Sequence, residues 1–468
     1  MSTQAQRHRF IVVANRLPCQ RAADAWRSSP GGLVSALSPV AQRHGGAWVG
    51  WSGVADDETE PEQQSDMALI PVRLSADEVE SHYEGFANST IWPLYHDHVV
   101  APQFKRSWWE AHQRVNRRFA EEVATSAAPD ALVWVHDYQL QLVPGLVRSM
   151  RSDVRLGYFS HIPFPPVELF AQLPWRTEVL SGILGADVIG FQRQADVENF
   201  IAACTRILGV DPREDGTIVG AYPVSVDSEH IGTLAKSAVR DGAPSRIRSE
   251  LGDPETVLLG IDRLDHTKGI LERLLAVEEL FDDGTLDPAT TRFVQIAVPS
   301  REAIPAYRQL RADVERTVGR INGKFGGLGG ASIHYLHREY PFDDVVKWYL
   351  TADVLLATSL RDGMNLVAKE YVAARSGRGG VLVLSEFAGA ADELSKALIV
   401  NPHDRDALKD AIAEAVATEA ASAHSRIEAM ATTVADHSLC RWATRFLDDL
   451  EAAVHETPGA LPRLSALQ

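Results

Sequence analysis

The feature that most limits what this chain can fold into is a series of short, continuous apolar runs separated by helix-length stretches. The runs are Phe10–Ala14, Leu132–Val135, Leu156–Phe159, Asp187–Phe191, Tyr222–Val226, Val257–Ile261, Phe293–Val298, Ile333–Leu336, Val354–Thr358 and Val381–Leu384. A strand with one wet face alternates apolar and polar residues, whereas a continuous run suits a strand covered on both faces. Between the runs lie amphipathic stretches. The clearest is Ser107–Ala124, where Trp108, Ala111, Val115, Phe119 and Val123 share one stripe. Alternation of this kind predicts an α/β chain with doubly wound parallel sheets. The runs are too numerous for one sheet and suit two, with a boundary near Ile231–Pro254. The expected division is residues 1–235, residues 236–440 and a terminal segment 441–468 whose end, from His455 onward, frays. The Ala-rich stretch Ala411–Ala421 reads as one helix.

Charge narrows the partners. The 468 residues hold 46 Lys plus Arg against 63 Asp plus Glu, a formal charge of −17. Nucleic acid and anionic membranes reward a basic surface, so neither is expected as a partner. A chain this acidic that binds phosphate must do it with a few placed cations. Only eight of its basic residues are lysine, which makes a lysine inside a motif informative. Cys19, Cys204 and Cys440 form no CxxC pair, which argues against a disulfide scaffold or a Cys-type zinc site. The N-terminal apolar run, Phe10–Ala14, is too short for an export signal, and no stretch reaches the about eighteen residues of a membrane span. A soluble, cytoplasmic protein is expected.

Ligands of doubly wound sheets bind at the carboxyl ends of strands, and four such ends carry unusual polar residues. The first run ends in Asn15-Arg16-Leu17-Pro18, followed by Ser29-Pro30-Gly31-Gly32-Leu33. Gly31 and Gly32 would let backbone N–H groups approach a phosphate at a helix start, although a Gly pair is more often just a turn. Next come His136-Asp137-Tyr138 and Ser160-His161-Ile162, polar ends suited to sugar contacts or proton transfer. A lone histidine there is more often packed and hydrogen-bonded. His96-Asp97-His98 offers two ligands on an extended segment, which does not complete a metal shell. In Asp262-Arg263-Leu264-Asp265-His266-Thr267-Lys268-Gly269, Arg263 and Lys268 suit a diphosphate clamp, the alternative being a solvated loop. Finally, Ser359–Glu370 places Asp362 and Asn365 before a helix that carries Glu370, a pattern fit for sugar hydroxyls and a ribose diol or for ordinary capping. Tyr83 and Trp92 read as core aromatics.

With these motifs assembled, the chain resembles the trehalose-6-phosphate synthases, retaining glycosyltransferases of the GT-B type. The resemblance runs from NRLP at Asn15 through SPGGL, GWSG at Gly50–Gly53, HDYQL at His136–Leu140, HIPFP at His161–Pro165 and RLDHTKG at Arg263–Gly269. It continues through GRINGKFG at Gly319–Gly326, RDGMNLVAKEY at Arg361–Tyr371 and SEFAGA at Ser385–Ala390. It implies two Rossmann-like domains with the active site in the cleft between them, an acceptor-binding first domain, a donor-binding second domain and a C-terminal helix crossing back to the first. It implies no metal and no cofactor. On the donor side it assigns Arg263 and Lys268 to the diphosphate with Gly31 and Gly32, and Glu370 to the ribose. Leu366, Val367 and Tyr340 would lie near the nucleotide, Asp362 would hold the glucose hydroxyls and His161 the 6-hydroxyl. On the acceptor side it assigns Arg16, Tyr83, Trp92 and Arg301 to a phosphate and Asp137 to the sugar.

The implied reaction joins glucose from a nucleotide-glucose, UDP-glucose first and ADP- or GDP-glucose open, to glucose 6-phosphate. Base choice would rest on Ala297–Arg301 and Tyr335–Phe342. A homo-oligomer, dimer or tetramer, is implied. The alternatives are a related transferase with another phosphorylated acceptor, such as a glucosylglycerol-phosphate synthase or a pseudo-glycosyltransferase, and a non-catalytic regulatory subunit. Intact Arg263, Lys268, Asp362 and Glu370 speak against the last. No GxGxxG follows the first strand, which removes a dinucleotide enzyme.

Overall fold

Strand β1 (His8–Arg16) is buried at every position from Phe10 to Asn15, as a strand covered on both faces must be. The computed structural model describes residues 7–22, 25–28, 37–38, 40–42, 45–61, 67–327 and 330–453. After β1 come the antiparallel pair β2 (Cys19–Ala22) and β3 (Ala25–Ser28), then β4 (Ala47–Trp51), β5 (Ala68–Pro71), β6 (Ala127–His136), β7 (Arg155–Phe159), β8 (Val188–Phe191) and β9 (Ile218–Ala221). One parallel sheet has the order β5-β4-β1-β6-β7-β8-β9. A second is built from β10 (Thr256–Arg263), β11 (Thr291–Val298), β12 (Ile333–Leu336), β13 (Val354–Ala357), β14 (Val381–Ser385) and β15 (Leu398–Val400). Its order is β12-β11-β10-β13-β14-β15 and its ladders are all parallel. Each sheet reverses direction once, between β1 and β6 in the first and between β10 and β13 in the second. Such switch points open crevices for ligands.

The chain divides into two compact units, Met1–Pro223 with Cys440–Gln468, and Val224–Leu439. The division falls before helix Ser228–Arg240, not after residue 235. That helix packs on helices Phe342–Thr351 and Leu366–Arg375 of the second unit, burying Ile231, Ala235 and Ala238, and a cut at 235 would split it. The last helix, Leu439–Ala452, lays Trp442 and Phe446 on the first sheet. Phe446 stacks on Trp134 at 4.6 Å and covers Gly157 and Gly190, where a Cβ would come within 2.6 and 2.8 Å of its ring.

Several elements differ from the sequence expectation. Tyr222–Val226 is not a strand; the sheet edge is β9, and at Tyr222 the chain turns off so that its hydroxyl donates to Asp449 and its carbonyl accepts from Trp442. In helix Arg106–Ser126 the core residue is Trp109, while Trp108 lies half-exposed under the Lys105 ammonium, 4.0 Å from its ring centroid. The Ala-rich stretch is two helices, Arg405–Ala417 and Ala420–Asp436, parted where Glu419 becomes extended. No described helix is long and apolar enough to cross a membrane.

Candidate active site

At the switch point of the first sheet, β1 ends in Arg16. Its guanidinium lies over the Trp51 ring at 4.1 Å and near the Tyr83 ring at 5.2 Å, the two rings meeting edge to face at 5.7 Å. Trp48 Nε1 donates to the Arg16 carbonyl at 2.9 Å. Two glycines make the fit possible. A Cβ on Gly50 would sit 2.7 Å from the Arg16 backbone, and one on Gly53, whose φ is +94°, would sit 1.9 Å from Arg16 Nη1. Tyr83 is placed by the wide π-type helix Val79–Ile91, in which Asn88 and Ser89 side chains donate to the carbonyls of Tyr83 and Glu84 five residues back. Trp92 is buried and packs between His96 at 4.2 Å and Tyr138 at 5.6 Å. His96 Nδ1 donates to the Trp92 carbonyl at 2.7 Å, so that histidine is committed to the local fold.

Beside Arg16's strand, β6 and β7 end in His136-Asp137 and His161. Asp137 has φ +75° and ψ 170°, a conformation outside the usual wells for a side-chain-bearing residue, and its carboxylate accepts from the His161 N–H at 3.2 Å. The two imidazoles share a hydrogen between His136 Nδ1 and His161 Nε2 at 3.1 Å. Burial lowers both; His161 falls to about 3, and the His136 shift is deepened by its neighbour. At neutral pH both rings are uncharged, so His161 is a hydrogen-bonding group and not a cation.

The second unit concentrates more of the expected residues. Where β10 ends, Arg263 is exposed, Asp265 caps a short turn by accepting from Thr267 N at 3.0 Å, and Gly269 takes φ +63° into helix Ile270–Asp282. A Cβ on Gly269 would stand 2.4 Å from the Thr358 carbonyl, so this glycine lets the β10 and β13 loops touch. Across that contact Lys268 Nζ donates to Asp362 Oδ2 at 2.5 Å. The same oxygen accepts from Ser359 Oγ at 3.1 Å and Asn365 Nδ2 at 3.2 Å. Asn365, with φ +75°, also caps helix Leu366–Arg375 through Ala368 N. Leu366 and Val367 form the half-buried first turn of that helix. Glu370 follows one turn on, accepting from Tyr349 OH at 2.7 Å; burial raises its pKa and the tyrosine bond opposes that rise.

Arg301, a candidate for the acceptor side, sits in the second unit at φ +51° with its side chain 5% exposed. It pairs with Asp265 and donates to Tyr307 OH at 2.7 Å, and Tyr307 OH donates to Asp265 at 2.9 Å. It is thus tied to the loop that carries Lys268. Tyr340 is half-exposed, its hydroxyl accepting from Arg338 Nε at 2.6 Å. Gly31 and Gly32 lie outside the described residues. Sequence reasoning passes over the supporting roles of Trp51, Gly53, Asp265, Tyr307 and Tyr349, while the capping read for the Ser359–Glu370 motif is made by Asn365. Trp51 and Gly53 belong to the GWSG motif and Asp265 to RLDHTKG, so the motifs pointed at their neighbourhoods without revealing their partners.

Comparison with known proteins identifies the family. The model of glycosyltransferase family 20 matches residues 8–452. A trehalose-6-phosphate synthase of Mycolicibacterium gilvum is 49% identical over 468 aligned positions, covering 94% of this chain and 93% of that protein. A crystal structure of an alpha,alpha-trehalose-phosphate synthase (UDP-forming) from Burkholderia xenovorans in complex with glucose-6-phosphate superposes with a TM-score of 0.86. It is 32% identical and covers 94% of this chain and all of that one. A structure described as trehalose-6-phosphate from E. coli bound with UDP-2-fluoro glucose gives 0.84 at 32% identity, covering 95% and 99%. The chain is an α/β enzyme of the GT-B type and belongs to glycosyltransferase family 20.

Proposed function

We propose that this chain transfers glucose from UDP-glucose to the 1-hydroxyl of glucose 6-phosphate with retention, giving α,α-trehalose 6-phosphate. The observation that carries the reading is the Lys268–Asp362 pair, a cation and a carboxylate from two loops joined at the switch point of the second sheet. In this reading Lys268 and Arg263 face the donor diphosphate, Asp362 accepts from glucose hydroxyls and Glu370 from the ribose diol. Arg16, beside the Tyr83 ring, takes the acceptor phosphate, and Trp92 and Arg301 are assigned to the same acceptor. The relatives' descriptions support both substrate classes, one naming glucose-6-phosphate and another UDP-2-fluoro glucose.

The transition state is oxocarbenium-like, and negative charge grows on the departing diphosphate. Cations held before the reaction stabilise that growing charge more than the ground state, which is what lowers a barrier. Retention by double displacement needs a carboxylate nucleophile about 5 Å from its partner acid. Asp362 is instead held by Lys268, Ser359 and Asn365, and Asp137 by the His161 backbone. We therefore favour reaction on one face, the leaving phosphate oxygen accepting the acceptor's proton, with neutral His161 and Asp137 orienting sugars. The experiment is intact-mass spectrometry during turnover with a panel of UDP-, ADP- and GDP-glucose. UDP-glucose should turn over fastest and the protein should gain no hexosyl mass. An adduct on Asp137 or Asp362 would overturn the one-face path, and a preference for ADP- or GDP-glucose would overturn the donor.

A further inference from the structure

Arg273 lies near the start of helix Ile270–Asp282, where a cation meets the positive end of the helix dipole, and its side chain is 0% exposed. A buried guanidinium at such a place is costly unless its donors are taken. Here Nε has no partner, but the two Nη groups are bonded to three separate segments. One Nη2 bond goes to the Asp262 carboxylate, at the end of β10 just before Arg263; another goes to the Lys268 carbonyl at 2.7 Å; Nη1 donates to the Leu356 carbonyl in β13, shortly before Ser359 and Asp362. Gly260 leaves the space, since a Cβ there would stand 3.1 Å from Arg273 Nη1. Burial pushes the Asp262 carboxyl up, and the charges of Arg273 and Lys268 pull it back toward the ionised form.

One planar fork therefore joins the strand end that presents Arg263, the peptide behind Lys268 and the strand that feeds the Asp362 loop. We infer that Arg273, with Asp262 as its counter-ion, is a positioning residue that sets the spacing of the Arg263/Lys268 loop and the Asp362 loop for a nucleotide-sugar it does not itself touch. This rests on the donor assignment proposed above. A lysine could supply the charge but not three directed bonds, because its ammonium is a point and its stem is flexible.

The test compares wild type with Arg273→Lys and with the charge-neutral double variant Asp262→Asn/Arg273→Gln, which leaves no lone buried charge if the single change fails to fold. Steady-state kinetics give the two KM values separately, and calorimetry gives the affinity for UDP. Both variants should bind UDP about tenfold or more weakly and raise the donor KM by a similar factor, with the glucose 6-phosphate KM within about twofold. Loss of overall stability alone would move both KM values together, and that result, or wild-type UDP affinity in the variants, overturns the inference. A wild type that binds UDP but makes no disaccharide would refute the proposed reaction while leaving the UDP comparison to decide on Arg273. A wild type that does not bind UDP would refute both.

Discussion

Arg16 in the first unit and Lys268 in the second sit at the switch points of their sheets, yet they are held in opposite ways. Arg16 rests on the faces of Trp51 and Tyr83, and no carboxylate pairs with it among the described residues. Lys268 is bonded to Asp362, which is itself held by Ser359 and Asn365. Aromatic faces stabilise a cation without neutralising it. That suits the capture of a dianionic phosphate, where the full charge is wanted at once. A carboxylate partner fixes a cation's place and tempers its charge, which suits a site whose greatest demand comes only as the leaving group becomes more negative. The second unit carries this wiring further, with Arg301 on Asp265 and Arg273 on Asp262.

The contrast can be broken from either side. The largest effect is expected for Lys268→Ala, which should lower kcat/KM by about 10²–10³, or about 3–4 kcal/mol, mostly in kcat. A change under about threefold, read by nucleotide release, would remove Lys268 from the chemistry. Arg16→Ala comes next, raising the glucose 6-phosphate KM about 30- to 100-fold, near the worth of one or two charged hydrogen bonds, with the donor KM nearly constant. Equal changes in both would erase the division of labour between the units. Arg301→Ala sharpens it: because Arg301 is bonded to Asp265, its loss should raise the acceptor KM most and also disturb kcat, unlike Arg16→Ala. A purely donor-side effect would move Arg301 out of the acceptor set. Gly53→Ala, which drives a Cβ into Arg16 Nη1, should raise the acceptor KM by roughly tenfold.

The smallest effect concerns stability in acid. Burial lowers His82 to about 4 and His161 to about 3, and drives His112 and His136 well down, all in the first unit. The unfolded chain binds protons at these sites near pH 6.5 while the folded chain does not. Stability is therefore full above about 6.5 and falls as pH drops toward those folded values. Glu370 in the second unit runs the other way, since its raised pKa favours the folded state at low pH. Every tryptophan but Trp348 belongs to the first unit, so tryptophan fluorescence on heating at pH 7 and pH 5 follows that unit. Its midpoint should drop by several degrees. An unchanged midpoint would mean these histidines are not buried neutral.

The parallel sheets were legible because β6, β7, β10, β11, β13 and β14 are continuous apolar runs, which few other environments accept. Strands β4, β5 and β15 were not, since Ala-Trp-Val-Gly-Trp carries no simple period, Ala68–Pro71 is only half-buried and Leu398–Val400 has three residues. Tyr222–Val226 reads as a strand because it is a short apolar run, but Tyr222 is held by Trp442 of the C-terminal helix and the Val224 carbonyl by Lys369 Nζ, not in a ladder. At the site, Arg263, Lys268, Asp362 and Glu370 stood out because each lies in a short motif at a strand end. Their supports did not. Arg273 looks like a surface residue of an amphipathic helix until the fold brings Asp262 and Leu356 to it. Arg301 reads as an open phosphate ligand until Asp265 is seen beside it.

The product decides between the readings of this site. The wild-type chain, given UDP-glucose and glucose 6-phosphate, should release UDP only when both are present, and NMR should identify the sugar as trehalose 6-phosphate with both anomeric centres α. UDP release that ignores glucose 6-phosphate, or a product with a β linkage, would contradict it.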